Sequence, residues 1–294
     1  MKTTELNKSS TFLFVEKSAK LSYVELGLDS QNFKQPKEYL QPESLRLLGE
    51  LAVANILLSS SLKHKGSVIL QIHGKGPISL AVSECNYKGQ FRSIVKENLK
   101  KYAREKQVLY SFKELVEPNG GGLFVASIKS LEKSVNTYQG IVQINNRGVD
   151  FSLEHYLNNS EQIKSWLRIF VENDVVKGIL LQALPEESEV DRKSDWKSMI
   201  HSLKQITTRE IMGKNLDILL LEKYRKDKLI RTKNFLPVFR CGCKREKIVT
   251  SIRQFYKSEF LSESKPNHQL KVICEFCGRT FFIKNKELSQ TSHG

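Results

Sequence analysis

PESLRLLGELAVANILLSSSL, residues 42–62, decides how the rest of the chain must be arranged. Proline at 42 suits the first turn of a helix, where its missing N–H is no loss. After it, Leu45, Leu47, Leu48, Leu51, Ala52, Val53, Ala54, Ile56, Leu57 and Leu58 fall on nearly every side of a helix instead of one stripe. A helix that is apolar all round must be covered on all sides, so the spacing predicts a helix over 43–62 sandwiched inside a domain. Ala52, Ala54, Ser59, Ser60 and Ser61 are small enough for sheets to approach it closely.

The flanking sequence supplies those sheets. Phe12 and Phe14, then Leu21 and Tyr23, alternate around a polar turn as a strand pair. Val68, Leu70 and Ile72, then Ile78, Leu80 and Val82, keep a period of two across Gly74-Lys75-Gly76-Pro77, with another turn at 87–90, as in antiparallel hairpins. Strands are expected at 122–129, 138–144 and 175–184, and a helix over 149–170. Gly120-Gly121-Gly122 lacks the Lys-Ser/Thr of a phosphate loop and leads into a strand, so it is read as a hairpin turn.

Residues 186–195 are polar and acidic, the clearest composition shift in the chain. After them Trp196, Met199, Ile200, Leu203 and Ile206, and then Leu216, Leu219 and Leu220, fit two amphipathic helices interrupted near Gly213, whose apolar faces most simply lie on the first domain. The fold expected is α+β: a large N-terminal domain (1–185) of antiparallel sheets layered around a buried helix, an amphipathic helical linker (186–233), and a small C-terminal domain (234–294).

That last part holds four of the five cysteines: Cys241-Gly242-Cys243, thirty residues, then Cys274-Glu275-Phe276-Cys277-Gly278. Cys-x-x-Cys-Gly puts two sulfurs on one side of a metal, and Cys-x-Cys can supply the other two, so Cys241, Cys243, Cys274 and Cys277 are the expected ligands of one Zn²⁺. Ile248, Ile252 and Phe255 on a helical face, with Leu270, Val272, Phe281 and Ile283 alternating in a hairpin, give so small a core that metal binding would have to hold the module together. Such a site is either structural or a redox-sensitive latch. Cys85, alone in a strand, reads as a passive buried residue.

The chain has 294 residues and a formal net charge of +15. Residues 225–257 carry eleven lysines and arginines against two acids. Arg240, Lys244, Arg245, Lys247 and Arg279 would favour thiolate over thiol, and the remaining basicity leaves an alternative open: a zinc-ribbon protein binding nucleic acid through this segment, with Phe255, Tyr256, Phe281 and Phe282 stacking on bases. The longest uncharged apolar stretch, 51–62, is short of the roughly 18 residues that span a bilayer. The first residues carry no apolar signal region, so a reducing, cytoplasmic location with no membrane contact is expected. The six histidines, at 64, 73, 155, 201, 268 and 293, form no metalloprotease motif, and four sulfurs leave no open position for catalytic water. No enzyme is expected, and His268 is a ligand substitute in principle only.

Phe239-Arg240-Cys241-Gly242-Cys243-Lys244-Arg245-Glu246 and Val272-Ile273-Cys274-Glu275-Phe276-Cys277-Gly278 resemble the zinc motif of the heat-shock protein 33 family of redox-regulated holdase chaperones. Leu70-Gln-Ile-His-Gly-Lys-Gly-Pro77, Tyr156-Leu-Asn-Asn-Ser-Glu-Gln162 and Gly178-Ile-Leu-Leu-Gln-Ala-Leu-Pro185 extend the resemblance nearly end to end. The resemblance implies an ATP-independent chaperone that is inactive when reduced and zinc-bound. Oxidation would form Cys241–Cys243 and Cys274–Cys277 disulfides, release the metal and unfold the switch module with its linker. The active form would be a homodimer that holds unfolding client proteins for ATP-dependent foldases.

Overall fold

The computed structural model describes residues 7–29, 31–34, 40–62, 65–98, 110–132, 137–185, 190–255, 269–284 and 287–288. Strands β1 (Lys8–Phe14) and β2 (Ala19–Gly27) form the first hairpin. Helix α1 (Pro42–Ser60) begins at the expected proline, with Glu43 in the first turn where the helix dipole favours an acid. Then come β3 (Gly66–His73), β4 (Ile78–Asn86) and β5 (Gln90–Glu97), a short helix α2 (Phe112–Val116) started by a Ser111/Glu114 capping box, and β6 (Leu123–Ser130) and β7 (Tyr138–Gln143). The glycine run 120–122 therefore joins α2 to β6 and is no hairpin turn, although Gly120 and Gly121, both at φ +79°, do make the bend.

Helix α3 (Val149–Asn159) is followed by strands β8 (Ser165–Glu172) and β9 (Val175–Ala183). The helix expected over 149–170 thus stops halfway. Asn158 ends it: its side chain accepts from the Ser165 N–H at 3.0 Å and donates to the Ser165 carbonyl at 3.1 Å, turning the chain back. Trp166, Leu167, Ile169, Phe170 and Val171 then favour a strand, which pairs along its length with β9.

Three helices follow where two were expected: α4 (Val190–Lys204), α5 (Thr208–Gly213) and α6 (Leu216–Lys223). Each break is a restart signal. Thr207 and Glu210 form a capping box, and Asn215 caps α6 by accepting from the amides of Asp217 and Ile218. Residues 229–235 are strand β10 (Leu229–Phe235), antiparallel to β1; β11 (Val238–Phe239), α7 (Arg245–Phe255), β12 (Gln269–Ile273) and β13 (Thr280–Lys284) follow among the described residues.

A six-stranded sheet in the order β11-β5-β4-β3-β6-β7 and a five-stranded sheet in the order β10-β1-β2-β9-β8 enclose α1. Leu47, Leu48, Leu51, Val53, Ile56 and Leu57 are fully buried between them, each contributing about 1.5–3 kcal/mol relative to exposure. The amide that α1 itself buries in this layer is satisfied: Asn55 donates to the carbonyls of Val68 and Ser83 at 3.2 and 2.6 Å, tying α1 to β3 and β4.

The other face of the five-stranded sheet carries Phe12, Phe14, Leu21, Tyr23, Trp166, Ile179 and Leu181, and the linker helices cover it with Trp196, Met199, Leu203, Ile211, Leu216, Leu220 and Tyr224. Tyr224 meets Phe14 edge-on at 5.0 Å and donates to the Met199 carbonyl at 2.7 Å, locking the end of α6 to α4. The α+β fold expected from sequence, with sheets layered about a buried helix, is the fold observed. No described helix is long and apolar enough to cross a membrane.

Candidate metal centre

Cys241 and Cys243 follow directly on β11, and Cys274 and Cys277 lie in the turn between β12 and β13. Antiparallel pairing of Ile273 with Thr280 closes that turn. Within it Cys274 N–H donates to the Arg279 carbonyl at 2.9 Å, while the amides of Cys277 and Gly278 donate to the Cys274 carbonyl at 3.3 and 2.8 Å. Gly278 sits at φ +69°, the left-handed region that glycine enters without strain.

The four sulfurs converge. Cys241 Sγ is 3.6 Å from Cys274 Sγ, Cys243 Sγ is 3.4 Å from Cys277 Sγ, and all four lie within 4.8 Å of one another. A tetrahedral Zn²⁺ with Zn–S distances of about 2.3 Å sets its sulfurs about 3.8 Å apart, so the donor set fits such an ion. Among the described residues, no second cluster of metal-ligating side chains is present. The close contacts run between the two motif halves, Cys241 with Cys274 and Cys243 with Cys277, and not between sequence neighbours.

The electrostatics point the same way. Burial opposes ionisation of Cys241, but the Cys243 amide and the neighbouring thiols bring it down to about 7. Burial pushes Cys243 and Cys274 up, and neighbouring thiols add to the shift. One thiolate forms easily and the next is opposed by its charge, the condition a divalent cation relieves.

The basic residues next to the cysteines are only partly used here. Arg245 is held by Glu287, through bonds of 3.0 and 2.8 Å, and by the Phe282 carbonyl at 2.7 Å. Arg240 and Lys247 line a cleft of about 710 Å³ that reaches Cys243 and Cys274 between the module and the six-stranded sheet. A cation from another part of the chain stands over the cysteine turn: Arg92 of β5, which also pairs with Glu84. Spacing around the cysteines gives no sign of Arg92; the available signal is its outward position in a strand beside buried Phe91 and Ser93.

The module is docked as well as folded. Val238 and Phe239 pair in parallel with Gln90 and Phe91, and Lys96 of β5 pairs with Glu275 at 2.9 Å. Its own core is small: Val249, Ile283 and Leu288 are buried, with Ile248, Ile252, Leu270, Val272 and Phe281 packed around them. Cys85 lies elsewhere, fully buried in β4, with burial pushing its thiol up to about 12. His64, His268, His293 and Tyr256 fall outside the described residues, as does the side chain of Phe255.

A family model described as Hsp33 protein matches residues 8–284. A relative from Vibrio parahaemolyticus named 33 kDa chaperonin is 30% identical over 290 residues, which cover 97% of this chain and 94% of the relative. Another of that name, from Aeromonas salmonicida, is 30% identical over 274 residues, covering 92% and 89%. In fold, the chain resembles the crystal structure of the 33 kDa chaperonin from Thermotoga maritima, with a TM-score of 0.73 over 96% of each chain at 18% identity. With the family model running from the first residue of β1 to the last of β13, and relatives matching nearly end to end, this chain belongs to the Hsp33 family.

Proposed function

We propose that this protein is a redox-regulated, ATP-independent holdase chaperone without enzymatic activity, acting in the cytoplasm on unfolding client proteins. The observation that carries the reading is the convergence of four Sγ atoms within 4.8 Å on a module with a very small apolar core. Cys241, Cys243, Cys274 and Cys277 would hold one Zn²⁺, which supplies the positive charge that lets four thiolates share one site.

Peroxide would oxidise Cys241 with Cys243 and Cys274 with Cys277. In each pair an S–S bond forms, the peroxide O–O bond breaks, and two waters leave, with the two protons this needs taken from solvent because the cysteines start as thiolates. The cysteines then no longer hold a metal, and the module loses most of what stabilises it. Cys241 follows β10 and β11 closely, so its release loosens the strands beyond the linker helices. The linker would leave the five-stranded sheet, baring Phe12, Phe14, Leu21, Tyr23, Trp166, Ile179 and Leu181 to clients. The oxidised form would act as a homodimer and pass clients to ATP-dependent foldases.

The nucleic-acid alternative draws less support. Arg231 pairs with Asp217 at 2.9 Å, Lys228 with Glu16 at 2.5 Å and Arg245 with Glu287, so part of the basic segment is spent within the chain. The decisive experiment measures zinc content and suppression of client aggregation before and after peroxide treatment at elevated temperature. One zinc per reduced chain, released as suppression appears, is expected. Suppression unchanged by oxidation despite full zinc release would refute the switch, and salt-sensitive RNA or DNA binding by the reduced protein would favour the alternative.

A further inference from the structure

Phe276 stands between the two cysteines of the Cys-x-x-Cys turn, and its ring lies under a guanidinium from another part of the chain: Arg92 Cζ is 4.2 Å from the ring centroid. Arg92 projects from β5, the strand against which β11 is paired. Glu84, opposite Arg92 on β4, pairs with the same guanidinium and fixes its direction. Lys96 lies four residues further along β5 and so on the same face, where it meets Glu275 at 2.9 Å. One face of β5 therefore grips both residues between Cys274 and Cys277, and its edge binds the backbone leading into Cys241.

We propose that Arg92 is a positioning residue that couples the cysteine turn to the six-stranded sheet, by stacking on Phe276 while Glu84 holds its guanidinium in place. A planar guanidinium against a ring face needs a defined ring position, which an ammonium group does not. Because Phe276 belongs to the turn itself, any rearrangement of Cys274 and Cys277 withdraws the ring from Arg92 and loosens the hold of β5 on β11. Docking of the module thus reports the state of the turn directly. The inference does not rest on the redox reading: it concerns the reduced protein, whereas that reading stands or falls on aggregation suppression.

The test is amide hydrogen exchange of the reduced, full-length protein at Val238 and Arg240, whose N–H groups donate to the carbonyls of Gly89 and Phe91 at 3.0 and 2.8 Å. Arg92→Ala and Phe276→Leu should each speed exchange at these two amides about fivefold, and the double variant should exchange no faster than either. Protection of α1 amides serves as the check that the fold is intact. Arg92→Lys should behave like the alanine variant. Unchanged exchange in both single variants, additive effects in the double variant, or full rescue by lysine would each overturn the proposal.

Discussion

Gly178 of β9 lies directly against Val53 of α1: a Cβ built on the glycine would stand 2.5 Å from Val53 Cγ1 and 2.9 Å from Leu57 Cδ1. The helix can sit this close to the five-stranded sheet because β9 offers no side chain at that point. Both neighbours are fully buried and branched, so neither can swing away.

Gly178→Ala should therefore lower stability by about 1–3 kcal/mol through overpacking. Denaturant unfolding of the reduced protein measures it, as a shift in midpoint with unchanged slope. A neutral or stabilising effect would mean that α1 can move off the sheet at little cost.

Leu220 of α6 is fully buried against the outer face of that sheet. Leu220→Ala should weaken the linker's docking by about 2–5 kcal/mol and let the reduced protein suppress aggregation without oxidant. The chain's two tryptophans, Trp166 and Trp196, are both buried in this interface, so emission should shift to the red in step. Unchanged emission together with an inactive reduced variant would show that the linker is not the cover.

Asp217 on α6 pairs with Lys8 of β1 and, at 2.9 Å, with Arg231 of β10. Burial works against its charge, yet Lys8 and Arg231 hold its carboxyl below the usual 3.8. A lowered folded-state value stabilises docking above pH 3.8, and the contribution is lost as the pH falls through the folded value. Asp217→Asn should loosen the linker at neutral pH, and its difference from the unmodified protein should shrink below pH 3.8, as followed by tryptophan emission. A difference that stays constant with pH would assign the effect to packing alone.

Cys85, with its thiol pushed up to about 12 and no exposure, should stay unreactive while the domain is folded. Iodoacetamide at about pH 8 after metal removal should modify Cys241, Cys243, Cys274 and Cys277, and Cys85 only when denaturant is added. Labelling of Cys85 in the folded protein, read by mass spectrometry, would contradict its burial beside α1.

Much of this architecture is written along the chain. The all-round apolar run at 42–62 required cover on every side; the period-two segments at 66–82 supplied part of it as antiparallel strands of one sheet, and β2, β9 and β8 of the other sheet cover the opposite side. The four-cysteine spacing named the residues whose sulfurs converge. Periodicity failed at 160–170, where apolar residues at compatible spacings read as helix continuing past the point at which Asn158 turns the chain. It also split 229–235 between the linker, to 233, and the C-terminal domain, because a strand with exposed Ile230 shows little alternation until β1 provides its partner.

The sequence by itself determined the local chemistry: a helix with no polar face, strands that must pair, and four sulfurs at metal-binding intervals. Only the tertiary structure decided that the linker helices cover the outer face of the five-stranded sheet, that β11 docks on β5, and that Arg92 meets Phe276. The physical reason is range. Helix periodicity and ligand spacing arise between residues a few positions apart, whereas a docked face or a stacked guanidinium joins segments that only folding brings together.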